Sequence, residues 1–402
     1  MAGGDCLVRR NGEPVIFVPG LLPGERALVR IEQSRRDFAH ASVVSILDAN
    51  ADRVAPTCGR VGDGCGGCDW QHLAPEAQHR SKRLIVVDAL RRGAGLQDAE
   101  ALVSIGASVD ALAYRATVRA AVDASGRAGF RRLRSHGVVV SGACPVADRR
   151  IADVLEHGRF PGVDEILLRV SERTGEVVVS PGMTGIGITV PVGVRVGDEN
   201  DQMSETVAGV ELRVSMGSFF QSSAEAANLL VEAVAAALGV PAAPSGLHPV
   251  RSGLLVDLYG GIGLFAATLG RAYGRVVVVE HAARAASDAR VNVATHARAE
   301  VVVTDVDEWR PTPTIHGELS GHGPGQIDVV ADPARRGLGR GGVATIAALR
   351  PQVVVLVSCD AAALGRDARL LAGEGWALEH TTVLDLFPHT HHLEAVSRFV
   401  AR

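Results

Sequence analysis

Lysine is almost missing from this chain: Lys82 is the only one, so arginine supplies nearly all of the 41 basic residues. Such a bias reads as the codon usage of a GC-rich genome, and arginine richness alone therefore does not mark a nucleic-acid surface. A formal net charge of −4 argues against a general nucleic-acid coat. Long apolar runs are absent too. No stretch of about 18 apolar residues occurs, which excludes a transmembrane helix, and the opening "MAGGDCLVRRNGEP" lacks the apolar centre of a secretion signal. Both point to a cytoplasmic protein. Cysteine is scarce, with six in 402 residues, too few for a disulfide framework. In a reducing compartment, clustered thiols bind metal or do catalysis. What is present, 47% hydrophobic and 21% charged residues over 402 positions, suits two or three ordinary globular domains.

The element pattern divides the chain into three. Residues 1–52 hold short strands, "CLVRR", "PVIFVPG", "ERALVRIEQSRR" and "FAHASVVSIL", separated by the turn signals "NGEP" and "PGLLPGE". A small β-barrel is their natural closure. Residues 53–205 open on a loop with three cysteines, "PTCGRVGDGCGGCDW", followed by a helix from "PEAQHRSKRL" and then strand-like runs such as "EILLRVSE" and "EVVVSPG". Within this part, Tyr114–Arg134 carries six arginines and one acid, either a solvated face or a phosphate-binding patch. From 206 to 402, strands and helices alternate. Ser223 is placed to cap a helix, "VPAAPSG" is a linker, and "GELSGHGPGQ" is a surface loop. Continuous apolar strands between helices predict a parallel sheet buried on both faces. Two last strands with no helix between them predict an antiparallel ending.

Chemistry gathers at the carboxyl ends of these strands. "DLYGGIGLFA" sets glycines at a strand-to-helix turn, and Gly261, Gly263 and Ala266 fit a dinucleotide-type pattern. Glu280, Asp305 and Asp332 end the next three strands and face one crevice. That indicates an adenosine-containing cofactor, with NAD and S-adenosylmethionine (SAM) both open. "DPARRGLG" reads as a polar loop or as a substrate-facing loop beside it. Cys359, at the exit of "VVVLVSCD", is core filling or a nucleophile. Three histidines and Glu394 lie in "DLFPHTHHLEAV". Neighbouring His391 and His392 are expected to point to opposite faces of a strand, which makes them poor joint metal ligands.

In their order along the chain, "CGRVGDGCGGC" with a further cysteine in "GACPV", then "SFFQ", "DLYGGIG", "VVVVE", "DPARRG", "SCD" and "FPHTHHLE" resemble the SAM-dependent RNA 5-methyluridine methyltransferases. The likeness is to their iron–sulfur branch and covers nearly the whole chain. It implies an N-terminal TRAM domain (a small OB-like RNA-binding barrel), a central β-rich iron–sulfur domain and a C-terminal class I Rossmann-like methyltransferase domain. It further implies Cys58, Cys65, Cys68 and Cys144 as ligands of a 4Fe–4S cluster. Cys₄ would equally suit zinc on chemistry alone. Gln221, Tyr259, Gly261, Glu280, Asp305 and Asp332 fall at the cofactor, Cys359 is the nucleophile and Glu394 the base. The implied substrate is a uridine in structured RNA, ribosomal RNA first and transfer RNA next. An NAD-linked oxidoreductase would leave Cys359 and Glu394 idle, and a non-catalytic RNA-binding factor would have no use for them. Two departures stand out: Ala334 where the family often has proline, and "CDA" where it has "CNP". The strands of the barrel also begin one short, which predicts a start further upstream.

Overall fold

Valine runs decide the C-terminal half. "LLVDL", "RVVVVE", "IDVVA" and "VVVLVS" are apolar at successive positions, so both faces of each strand must be covered. In the computed structural model, which describes residues 3–9, 14–182, 187–242, 253–311 and 327–402, helices cover them. Part of the expected linker and the expected loop at 317–326 lie outside the described residues.

The N-terminal strands β1 (Cys6–Val8), β2 (Val15–Val18), β3 (Arg26–Ser34) and β4 (Phe38–Asp48) form one sheet in the order β1-β2-β4-β3. Val18, Leu21 and Ala41 are the centre of its own small core. β5 (Val103–Ser108) comes next. A six-stranded sheet then pairs β11-β10-β9-β6-β7-β8, from β6 (Thr117–Val122), β7 (Ala128–Arg131), β8 (Val138–Val140), β9 (Glu165–Val170), β10 (Val177–Ser180) and β11 (Val194–Val196). A hairpin of β12 (Gln202–Val207) and β13 (Val210–Ser215) leads into the last part.

That part is an eight-stranded sheet. It contains β14 (Leu254–Leu258), β15 (Arg275–Glu280), β16 (Ala299–Val303), β17 (Ile327–Ala331), β18 (Val353–Ser358), β19 (Trp376–Asp385) and β20 (Glu394–Ala401), ordered β16-β15-β14-β17-β18-β20-β19-β5. β14 to β18 run parallel, and β20 enters antiparallel to both β18 and β19. The expected antiparallel ending is therefore present. The helix Ala224–Leu238 begins where Ser223 accepts the Ala226 amide and ends on Gly239 in the left-handed region.

The part read as residues 53–205 does not pack as one unit. β5 pairs in parallel with β19 at the edge of the large sheet. Val86, Val87 and Leu90, on the helix Pro75–Ala89 and the turn after it, share a core with Val354, Leu356 and Leu364. Residues 75–108 thus belong by contact to the C-terminal sheet. Apolar positions show that a segment will be buried; they do not say against which partner.

Candidate active site

The β18–β20 pairing brings together the residues expected to react. Ser358 pairs with Ala395, so the next residues outward, Cys359 and Glu394, face each other at the sheet's end. Asp332, one residue past β17, faces the same point from the neighbouring strand. Burial pushes the Cys359 thiol up to about 12, the Glu394 and Asp332 carboxylates push the same way, and Arg335 opposes them. Burial likewise raises Asp332. Glu394 is raised well above the ordinary carboxyl range, first by burial and then by Asp332. One Glu394 oxygen is buried with no hydrogen-bond partner among the described residues, which leaves it free for a proton or a substrate atom.

Asp360, where the resembled family has asparagine, caps the helix Ala361–Gly373 by accepting the Ala363 amide at 2.8 Å. The departure therefore keeps the turn after Cys359 defined. The "DPARRG" loop is pinned as well. Buried Asp367 accepts the amides of Leu338 at 2.7 Å and Gly339 at 3.2 Å. Arg335 reaches His392, 3.4 Å from its Nδ1.

The crevice expected to hold a cofactor starts at a strained turn. Tyr259 has φ +57°, a conformation that non-glycine residues hold only under constraint. Gly261 and Gly263 follow at +55° and +79°, and the helix Leu264–Leu269 begins at once. Glu280 Oε2 accepts the Gly261 amide at 2.9 Å and Oε1 the Ala282 amide at 2.6 Å. Oε1 also lies 3.1 Å from His281 Nδ1, so Oε2 is the oxygen that keeps a second lone pair for a ligand hydroxyl. Asp305 accepts the Asp307 amide at 3.0 Å, and burial followed by Asp307 and Asp305 raises the Tyr259 hydroxyl. Gln221 is buried with its amide oxygen unpartnered among the described residues, as is one oxygen of Asp257. Orphaned acceptors of this kind, Asp257 at the turn itself, fit a ligand that donates hydrogen bonds. Asp257 opens the "DLYGGIG" motif, but the sequence assigned it no role of its own.

Cys58, Cys65, Cys68 and Cys144 line one cavity with Phe130, Val61 and Arg115. Burial pushes the Cys68 thiol up to about 11, while Arg115 pulls it down. Cys144 is raised by burial and lowered by the amides of Val146 and Ala147. No three His, Cys, Asp or Glu among the described residues are arranged to hold a single metal ion. The four thiols share one cavity with a guanidinium, a donor set whose chemistry would match iron or zinc alike.

This cysteine loop is tied to the turn before Glu394. Asp69, next to Cys68, accepts His391 Nδ1 at 2.6 Å and the His391 amide at 3.1 Å. Trp70 donates its amide to the His389 carbonyl at 2.9 Å, and Gln78 accepts the His389 amide at 2.6 Å. Lys82, fully buried, donates to Asp385 at 2.6 Å and to the Phe387 carbonyl at 3.0 Å. The rings of His391 and His392 lie 4.3 Å apart. They do not point to opposite faces, because both sit in the turn ahead of β20 where strand alternation does not apply. Burial, then His391 and Arg335, push His392 down to about 4.

A cavity of about 820 Å³ is bounded by Asp5, Pro19 and Gly20 at the ends of N-terminal strands, by the cysteine loop and by the 387–392 turn. Arg115, Arg119, Arg134 and Arg169 line it, with Phe219, 73% exposed, at its edge. Three of these arginines come from the basic stretch 114–134, so that stretch faces the cavity. Sequence reading quoted "SFFQ" for Gln221 alone and passed over Phe219. Nothing in a sequence marks which of two adjacent phenylalanines will stay exposed.

The TRAM domain family matches residues 3–44. An RNA methyltransferase of Streptomyces avermitilis is 33% identical, covering 98% of this chain and 95% of the relative. The 23S rRNA (uracil(1939)-C(5))-methyltransferase RlmD of Aeromonas hydrophila is 28% identical over 98% of this chain and 92% of its own length. Among solved structures, the tRNA (uracil-54, C5)-methyltransferase of Pyrococcus abyssi, in complex with S-adenosyl-L-homocysteine, superposes with a TM-score of 0.69 at 22% identity, covering 96% of this chain and 95% of that one. Its fold is shared from end to end. On the Streptomyces likeness, carried over nearly the full length of both proteins, the chain belongs to the RNA methyltransferase family.

Proposed function

We propose that this protein transfers a methyl group from SAM to C5 of a uridine in structured RNA, through a covalent bond between Cys359 and C6 of the uracil. The observation that carries the reading is the β18–β20 register, which sets Cys359 against Glu394 with Asp332 beside them. Uracil C5 is a poor nucleophile. Addition of the Cys359 thiolate to C6 breaks the C5–C6 double bond and makes C5 an enolate carbon. Bound SAM supplies the electrophilic methyl group. Ionised Glu394 then removes the C5 proton, and the returning electron pair expels Cys359. A carboxylate held above its ordinary range is a stronger base, which suits Glu394 to that task. Burial and the Glu394 and Asp332 carboxylates favour the thiol form of Cys359; the positive charge of bound SAM would favour the thiolate, with the thiol proton released to solvent. The target base must leave its stack to reach this centre.

SAM would be held by Gln221, Tyr259, Gly261, Glu280, Asp305 and Asp332, and the orphaned Gln221 oxygen supports that. Cys58, Cys65, Cys68 and Cys144 would hold a 4Fe–4S cluster that braces the loop; methyl transfer requires no redox step. The N-terminal sheet (1–52) and the central part (53–205), apart from residues 75–108, would bind RNA beside the methyltransferase part (206–402). Work on RNA would suit a cytoplasmic protein; separately, no helix among the described residues is long and apolar enough to cross a membrane.

Ribosomal RNA is favoured over transfer RNA by the relative in Aeromonas. The test is tritium release from RNA labelled at uracil C5. Release should require both SAM and Cys359. Methylation at another atom, with the C5 label retained, would overturn the reading. Mass spectrometry of RNA from a deletion strain then separates ribosomal from transfer RNA.

A further inference from the structure

The N-terminal sheet has two unlike faces. One holds Ile16, Val18, Ala41 and Val43 and closes over the small core. On the other, strand pairing sets Leu7 opposite Phe17, Phe17 opposite His40, and His40 opposite Gln33. That is one side-chain row across all four strands. Phe38, two residues before His40, shares its face. The three rings touch: Phe17 to His40 at 5.4 Å, Phe38 to His40 at 5.5 Å and Phe17 to Phe38 at 6.2 Å between centroids. None joins a core cluster, and Phe38 is 38% exposed. Aromatic rings grouped on the outer face of a sheet are not needed for its core.

We propose that Phe17, Phe38 and His40 form a stacking platform for unpaired bases of the RNA substrate, an inference that rests on the RNA methyltransferase reading above. Charge and continuity select this occupant. Arg134, ion-paired to Asp5, stands 3.2 Å from His40 Nδ1 and also lines the large cavity that reaches His391 and His392. A strand lying on the rings would follow arginines from the platform to the catalytic turn. Every base has a π-face, so such a platform accepts any unpaired sequence and rejects a duplex, whose bases are already stacked.

The test uses the full chain and a short fluorescein-labelled single-stranded RNA, an abasic RNA of the same length, and the matching duplex. Wild-type protein should bind the intact strand more tightly than the abasic one. Phe17→Leu/Phe38→Leu keeps the apolar contacts but removes the rings. It should lose roughly 5- to 100-fold in affinity for the intact strand, the range expected for lost base stacking, and little for the abasic one. SAM affinity and a thermal melt report whether the variant is folded. An unchanged preference for intact over abasic RNA in the folded variant would overturn the platform. So would equal binding of duplex and single strand by wild type, or loss of self-association in place of RNA affinity. Tritium release by wild type is scored separately, so failure of the methylation reading is distinguishable from failure of the platform.

Discussion

Removing the single lysine should damage both stability and catalysis. Lys82 is fully buried and its ammonium lies 2.6 Å from Asp385, itself 3% exposed at the side chain. Burial lowers Lys82 below its ordinary value of 10.5, with Asp385 pulling it back. Lys82→Met leaves the Asp385 carboxylate buried without its counter-ion, a cost of about 3–5 kcal/mol, and also removes the bond to the Phe387 carbonyl, worth roughly 1 kcal/mol. In Asp385→Asn the amide still accepts from Phe387, but the ammonium is left uncompensated. In the double variant Lys82→Met/Asp385→Asn neither buried charge of the pair remains. Its loss should therefore fall short of the sum of the singles by roughly 2 kcal/mol, within the range seen for residues in contact. The assay is urea unfolding followed by tryptophan fluorescence, since Trp70 is hydrogen-bonded to the same turn. Because that turn leads into Glu394, Lys82→Met should also lower kcat more than it raises KM for SAM. Strictly additive single losses, or a Lys82→Met cost below about 1 kcal/mol, would refute the argument that this ion pair holds the catalytic turn.

Three further outcomes are expected. Protein purified without oxygen should be brown and carry iron, and Cys144→Ser should bleach it despite the distance of Cys144 from the other three in sequence; stoichiometric zinc would count against the cluster. Glu280→Ala should weaken SAM binding by about 1.5–3 kcal/mol, the worth of charge-assisted hydrogen bonds, read by isothermal titration, and an unchanged affinity would take Glu280 out of the site. The third concerns pH. Glu394 is raised above the ordinary glutamate value of 4.5, so its contribution to stability is complete below that value and is lost as pH rises through the folded pKa. The Tm of SAM-free wild type should fall across that rise, and Glu394→Gln, which cannot ionise, should show a shallower fall. Parallel curves would mean that Glu394 is not buried as described.

Element types and order were largely legible in the sequence, because valine runs, glycine turns and Ser223 each carry a local signal. Asp332 and Cys359 could be named because each follows the carboxyl end of a parallel strand, where such ends converge, whereas Glu394 opens an antiparallel strand and was named only through the family resemblance. Partnerships across long separations were not legible. Nothing near Asp69 announces His391, and nothing near Lys82 announces Asp385, since a buried ion pair depends on where two distant segments meet. The placement of β5 beside β19 was hidden for the same reason. The histidine pair was misread because a turn was taken for the start of a strand. The aromatic row of the N-terminal sheet needed strand register, which composition does not contain.

The central claim is that Cys359 opens the reaction and Glu394 closes it. Glu394→Gln leaves thiolate addition and methyl transfer possible but removes the base for the C5 proton, so the methylated uridine should remain bonded to Cys359. Incubated with RNA and SAM and run on a denaturing gel, this variant should give a slow band that ribonuclease collapses. Cys359→Ala and the double variant should give none. Turnover of Glu394→Gln at near the wild-type rate with no retained band would contradict the account and move the base to water or to one of His389, His391 and His392.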